Sequence, residues 1–191
     1  DVHHNIIPRT AAPKIDPAAL VRAAEPTAER DVYALAPVDL VLHSALHLFN
    51  EGEFDRGLRD LSDLDLLLRE IRHADPDLEH LRRRAQTLGL ERPLGYALKL
   101  TSGFFETPLP PGALGAGNAA AGTERFLTAC FRRAVLPPGI GPWPGRETVR
   151  FFLYVRGHLL KMPLHLLLPH LATKLVAGQR DRADRATDPA R

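Results

Sequence analysis

The chain has 191 residues, 45% hydrophobic and 25% charged, enough to bury a core as one domain or as part of a larger protein. A net charge of +2 is too near balance to argue for nucleic acid, and a single cysteine excludes an internal disulfide framework and a cysteine-based zinc site. No run of about 18 uncharged apolar residues marks a membrane span and nothing looks like a signal peptide, so a cytoplasmic protein is expected.

In chain order, DVHHNII alternates Val2, His4 and Ile6 against Asp1, His3 and Asn5, the pattern of a half-buried strand. A lone strand is not stable in water. It is expected to pair with a later strand or with partners upstream, which would make this chain a piece of a longer protein. A short helix is predicted from Asp16, an N-cap followed by Pro17 at the first helical position, to about Ala24. Residues 30–36 form a second possible strand, with Val32, Ala34 and Ala36 on one side.

Residues 35–68, LAPVDLVLHSALHLFNEGEFDRGLRDLSDLDLLL, organise the rest. They read as two helices. The first opens at Pro37 and carries Val38, Val41, Leu42, Ala45, Leu46 and Phe49 at spacings of three and four. Gly52 breaks it. The second is predicted from Glu53 or Phe54 to about His73, with Phe54, Leu58, Leu61, Leu64, Leu68 and Ile71 as its buried stripe.

Each helix also has a polar stripe. On the first, Asp39, His43 and His47 are four residues apart and share a face, the spacing of a helical zinc pair with a carboxylate one turn back, or of residues packing at a helix interface. On the second, Arg56, Arg59, Asp60 and Asp63 fall within a sector of about 100°. They suit a phosphate-binding wall or a solvated ion-pair ladder. Asp63-Leu64-Asp65 imitates a metal-binding Asp-x-Asp pair. That pair needs a strand, where residues two apart point the same way, whereas helical spacing sets these two about 200° apart.

Asp75-Pro76 is predicted to cap a third helix over 77–87 ended by Gly89, and residues 90–105 a fourth. Arg82, Arg83 and Arg84 read as a solvated basic face or as a site for an acidic partner. Residues 107–122, rich in Pro, Gly and Ala, form a loop, and 123–136 a fifth helix with Cys130 in the core. Residues 137–145 make a second loop anchored by Trp143. Helical residues 147–176 are interrupted at Pro163 and Pro169. Their interleaved Arg156, His158, Lys161, His165, His170 and Lys174 suit core packing, or contact with a partner or a membrane surface. The tail from 178 is charged, small and expected to be disordered.

Four stretches in this order, DVHHNIIPRTA, residues 35–68, LGLERPLGYALKL and VRGHLLKMPLHLLLPHL, resemble the C-terminal two-thirds of the uncharacterised bacterial nucleotidyltransferases. That family has a DNA polymerase β-like fold, and some members are encoded beside exopolysaccharide and exosortase systems. The resemblance implies a small sheet carrying a Gly-Ser loop and an Asp-x-Asp pair that, with a third carboxylate, bind Mg²⁺. A nucleoside triphosphate is then attacked at its α-phosphate by an acceptor hydroxyl. Asp1 matches the third carboxylate, a metal ligand and catalytic residue. Arg59, Asp60 and Asp63 match an Arg-Asp-x-x-Asp pattern near the nucleotide, which makes Asp60 and Asp63 catalytic candidates. Arg56, Arg59, His43 and His47 become candidates for the nucleotide-binding wall. The Gly-Ser loop and Asp-x-Asp pair would precede Asp1, so the chain alone is expected to be inactive.

The expected fold is mainly α, the helical C-terminal part of an α/β polymerase β-like nucleotidyltransferase, with one or two short strands near the N-terminus. Its expected divisions are 1–36, a sheet remnant with a short helix; 37–106, a helical core; 107–122, a loop; 123–177, closing helices; and 178–191, a tail. The expected partners are a nucleoside triphosphate and an acceptor of unknown identity. The alternatives are a non-catalytic helical module that binds a protein partner and a peripheral accessory protein of polysaccharide export.

Overall fold

In a computed structural model, the described residues are 15–114, 121–137, 139–140 and 145–161. The predicted N-terminal strand, Trp143, both helix-interrupting prolines and the tail lie outside them. The rest is mainly helical, with one two-stranded antiparallel sheet near the N-terminus.

Helix α1 (Pro17–Ala23) starts as predicted: the Asp16 carboxylate accepts from the Ala18 N–H at 3.0 Å, with Pro17 at the first helical position. Strands β1 (Glu25–Pro26) and β2 (Tyr33–Ala34) pair Glu25 with Ala34 and Pro26 with Tyr33. The strand expected over 30–36 is thus two residues long, and its partner is local. Both strands are exposed, and Pro26 has no N–H to give the ladder.

Helix α2 (Pro37–Asn50) buries all six predicted apolar positions and runs as the central rod, with α3 (Gly57–Ala74), α4 (Glu79–Leu88) and α5 (Glu91–Phe105) packed around it. Helix α3 begins three residues later than Phe54. Instead of winding, Phe54 turns into the core beside Phe131, and Arg56 is non-helical at φ −113° and ψ 20°. Asp75 caps α4 with both carboxylate oxygens, accepting from the N–H groups of Glu79, His80 and Leu81 at 2.9–3.2 Å. Gly89 ends α4 in the left-handed region at φ 67°.

Helices α6 (Ala121–Val135) and α7 (Arg146–Lys161) pack on each other and across the joint between α2 and α3. Phe131 of α6 is fully buried, its ring 4.9 Å from Phe49 and 4.8 Å from Tyr96. Such contacts add about 0.5–1.5 kcal/mol each beyond area burial. Cys130 is buried beside it, and burial pushes its thiol pKa up, as befits a core residue.

Candidate functional site

The polar stripe of α2 divides between two neighbours. Asp39 is fully buried and accepts from the Nε and an Nη of Arg84 on α4, both at 2.7 Å. Arg84 also donates to the Ala19 carbonyl of α1 at 3.0 Å. That corrects the reading of 82–84 as a solvated face: Arg83 is exposed beside Glu79, while Arg84 is largely covered. The Asp39 carboxylate is taken by a guanidinium, so it does not join the histidines. Among the described residues no group of three or more His, Cys, Asp or Glu is placed to hold a metal ion.

His43 and His47 lie side by side, ring centroids 4.3 Å apart. The Nδ1 of His47 meets the Glu51 carboxylate at 2.9 Å, and Lys161 of α7 approaches the same oxygen at 3.6 Å. Burial holds the His43 pKa below its ordinary 6.5, the neighbouring His47 lowers it further, and Glu51 opposes. The hydrogen bond from His47 holds Glu51 below its ordinary 4.5 against the effect of burial.

Both shifts make the fold acid-labile. Folded His43 binds a proton less readily than unfolded His43, so stability falls as pH drops through 6.5 towards its lowered folded value. The Glu51 contribution is complete above 4.5 and is lost as pH falls through its own lowered value. Each is expected to be worth less than about 1 kcal/mol, because both groups are only half-buried. Urea titrations from pH 7 to pH 3 should show Glu51→Gln losing less stability below pH 4.5 than the unsubstituted chain. An equal loss would remove Glu51 from the account.

The stripe on α3 is different. Arg59, Asp60 and Asp63 are exposed on its first two turns, and Arg56 stands at the N-cap position, just outside the sector assumed for a continuous helix. No ion pair among the described residues involves any of the four, so the ladder expected as one reading is not formed. Asp60 titrates above the ordinary carboxylate range, first through burial and then through the charge of Asp63, with Arg59 and Arg56 opposing. The start of α3 has no side-chain cap, so its N–H groups add positive potential beside the two guanidiniums.

Asp65 is the counterpart on the buried side. It accepts from the Thr107 hydroxyl at 2.6 Å and from the Arg69 Nε at 2.8 Å, while Arg69 also donates to the Phe105 carbonyl at 2.8 Å. Asp63 faces water and Asp65 the core, as helical spacing requires, so the two make no metal pair. Asp1, His3 and His4 lie outside the described residues. Sequence reasoning missed Glu51 as the bridge between α2 and α7. Its position four residues after His47 was the available signal.

A protein-family model described as an uncharacterised nucleotidyltransferase matches residues 1–106, which take in α1 to α5 and both polar stripes. No curated protein and no solved structure matches the chain.

Proposed function

The chain belongs to the uncharacterised nucleotidyltransferase family, and from that premise we propose that the start of α3 is its nucleotide-facing wall. The observation that carries this is the charge gathered there: Arg56, Arg59, Asp60 and Asp63 are exposed, interact electrostatically around Asp60, and form no ion pair among the described residues. Arg69, Arg84 and Arg150, by contrast, are bonded within the fold.

In this reading Arg59 and Arg56 hold triphosphate oxygens beside the uncapped helix N-terminus. Asp63 orients the Arg59 guanidinium or the acceptor hydroxyl. Asp60, whose proton affinity is raised, is placed to share that hydroxyl's proton. His43 and His47 stand on the neighbouring helix as the side of the cleft.

Mg²⁺ does not fit the described residues, which bring together no three His, Cys, Asp or Glu side chains that could hold it. The reading therefore keeps Asp1, outside the described residues, as its candidate metal ligand. A hydroxyl-bearing acceptor and a cytoplasmic setting belong to the same proposal. No helix among the described residues is long and apolar enough to cross a membrane.

The test is binding of fluorescent nucleoside triphosphates, with Mg²⁺, to the full protein and its variants, alongside transfer of a labelled nucleotide. Arg59→Ala should weaken binding about tenfold, equivalent to about 1.4 kcal/mol, and Asp63→Ala should lower transfer more than binding. Unchanged affinity in the Arg56→Ala/Arg59→Ala double variant would sink the assignment.

A further inference from the structure

Helix α7 has two apolar faces, and the fold uses one. Leu153 and Gly157 face inward and are buried, while Phe151, Phe152 and Leu159 on the opposite side are 60%, 42% and 46% exposed. Phe126 of α6 extends this outer face, its ring 5.7 Å from Phe152. These four side chains present on the order of 400 Å², taking about 150–250 Å² for a whole aromatic side chain. That is about half of the roughly 800 Å² that each partner brings to a stable interface.

A second copy is therefore poorly matched in size, and α7 itself offers little charge to an anionic surface. All four Arg and Lys residues of α7 are engaged by the fold: Arg146 with Leu136 and Glu147, Arg150 with Phe54, Asp55 and Ala134, Arg156 with Phe49, and Lys161 with Glu51. None is left to partner lipid headgroups beside the phenylalanines.

The sequence that follows supplies the missing occupant. Residues 162–176, MPLHLLLPHLATKLV, are dominated by leucine and contain no Asp or Glu. Pro163 has no N–H to donate, so the sequence carries a helix-interrupting residue between α7 and the leucines that follow. A tether this short gives the segment an effective concentration of about millimolar at the adjacent face.

We propose that residues 162–176 dock on the outer face formed by Phe126, Phe151, Phe152 and Leu159. The segment then braces α7 from outside against the joint of α2 and α3.

The test is hydrogen exchange on the full chain, read by mass spectrometry. Leu159→Asp should raise exchange across 164–176 at least tenfold and leave the amides of α2 unchanged, which separates undocking from unfolding. Should that variant unfold, Leu167→Asp reads the same contact from the other side, raising exchange in α7. Exchange of 164–176 at unprotected rates in the unsubstituted chain would overturn the proposal. So would a dimer in light scattering that Phe152→Asp dissolves, or flotation with phosphatidylglycerol vesicles that Phe152→Asp abolishes.

Discussion

Asp39→Asn is expected to lower the stability of the fold by about 3–5 kcal/mol, the cost of leaving one partner of a buried ion pair alone. The Asp39 side chain is wholly buried and that of Arg84 only 17% exposed, so water cannot take the place of the lost carboxylate. Three elements meet at this pair: α2 through Asp39, α4 through Arg84, and α1 through the Ala19 carbonyl. The loss should appear in urea denaturation as a fall in midpoint at constant slope. Replacing both partners by apolar residues of similar shape, as in Asp39→Leu/Arg84→Met, should recover much of it, because no charge then remains buried. A single-variant loss under about 1 kcal/mol would mean that the pair is solvated and the three helices are held by apolar contacts alone.

The same pair shows what was legible in the sequence. Apolar spacing located α2 and its buried face residue by residue, and cap chemistry located both ends of α4 through Asp75 and Gly89. What was missed is a partnership between elements. Arg84 lies three residues after Leu81 and four before Leu88, along the buried edge of α4, yet as one of three consecutive arginines it read as solvent-facing. Asp39 in turn read as one member of a histidine stripe. Helical periodicity says which residues share a face, but not which element covers it. The start of α3 was misplaced for a related reason: Phe54 is apolar at helical spacing, but its tertiary contact with Phe131 pulls it off the helix. The separation of Asp63 from Asp65 needed only the period of one helix, and the spacing predicted it correctly.

Gly157 is the other position where a small change should have a large effect. A Cβ there would sit 2.8 Å from the carbonyl oxygens of both Asn50 and Glu51, which are backbone atoms at the end of α2 and cannot swing aside. Glycine inside a helix ordinarily costs about 0.5–1 kcal/mol relative to alanine, so Gly→Ala should stabilise where space allows. At Gly157 the overpacking penalty of about 1–3 kcal/mol exceeds that gain, and Gly157→Ala is expected to destabilise. Gly103, inside α5 with nothing near its absent Cβ, is the control and should respond with the opposite sign. Gly52 approaches the same contact from the other side, its absent Cβ 2.7 Å from the Leu153 carbonyl oxygen and the Tyr154 Cα, at φ 78°. Gly52→Ala should therefore cost more, adding about 1–2 kcal/mol of left-handed strain. Either substitution pushes α7 away from the joint and strains the bonds from Arg156 to Phe49 and from Lys161 to Glu51. Because both act on one contact, the double variant should cost less than the sum of the singles. Thermal unfolding of the four variants decides it: additive losses, or a stabilising Gly157→Ala, would show that α7 does not seat on the joint through these glycines.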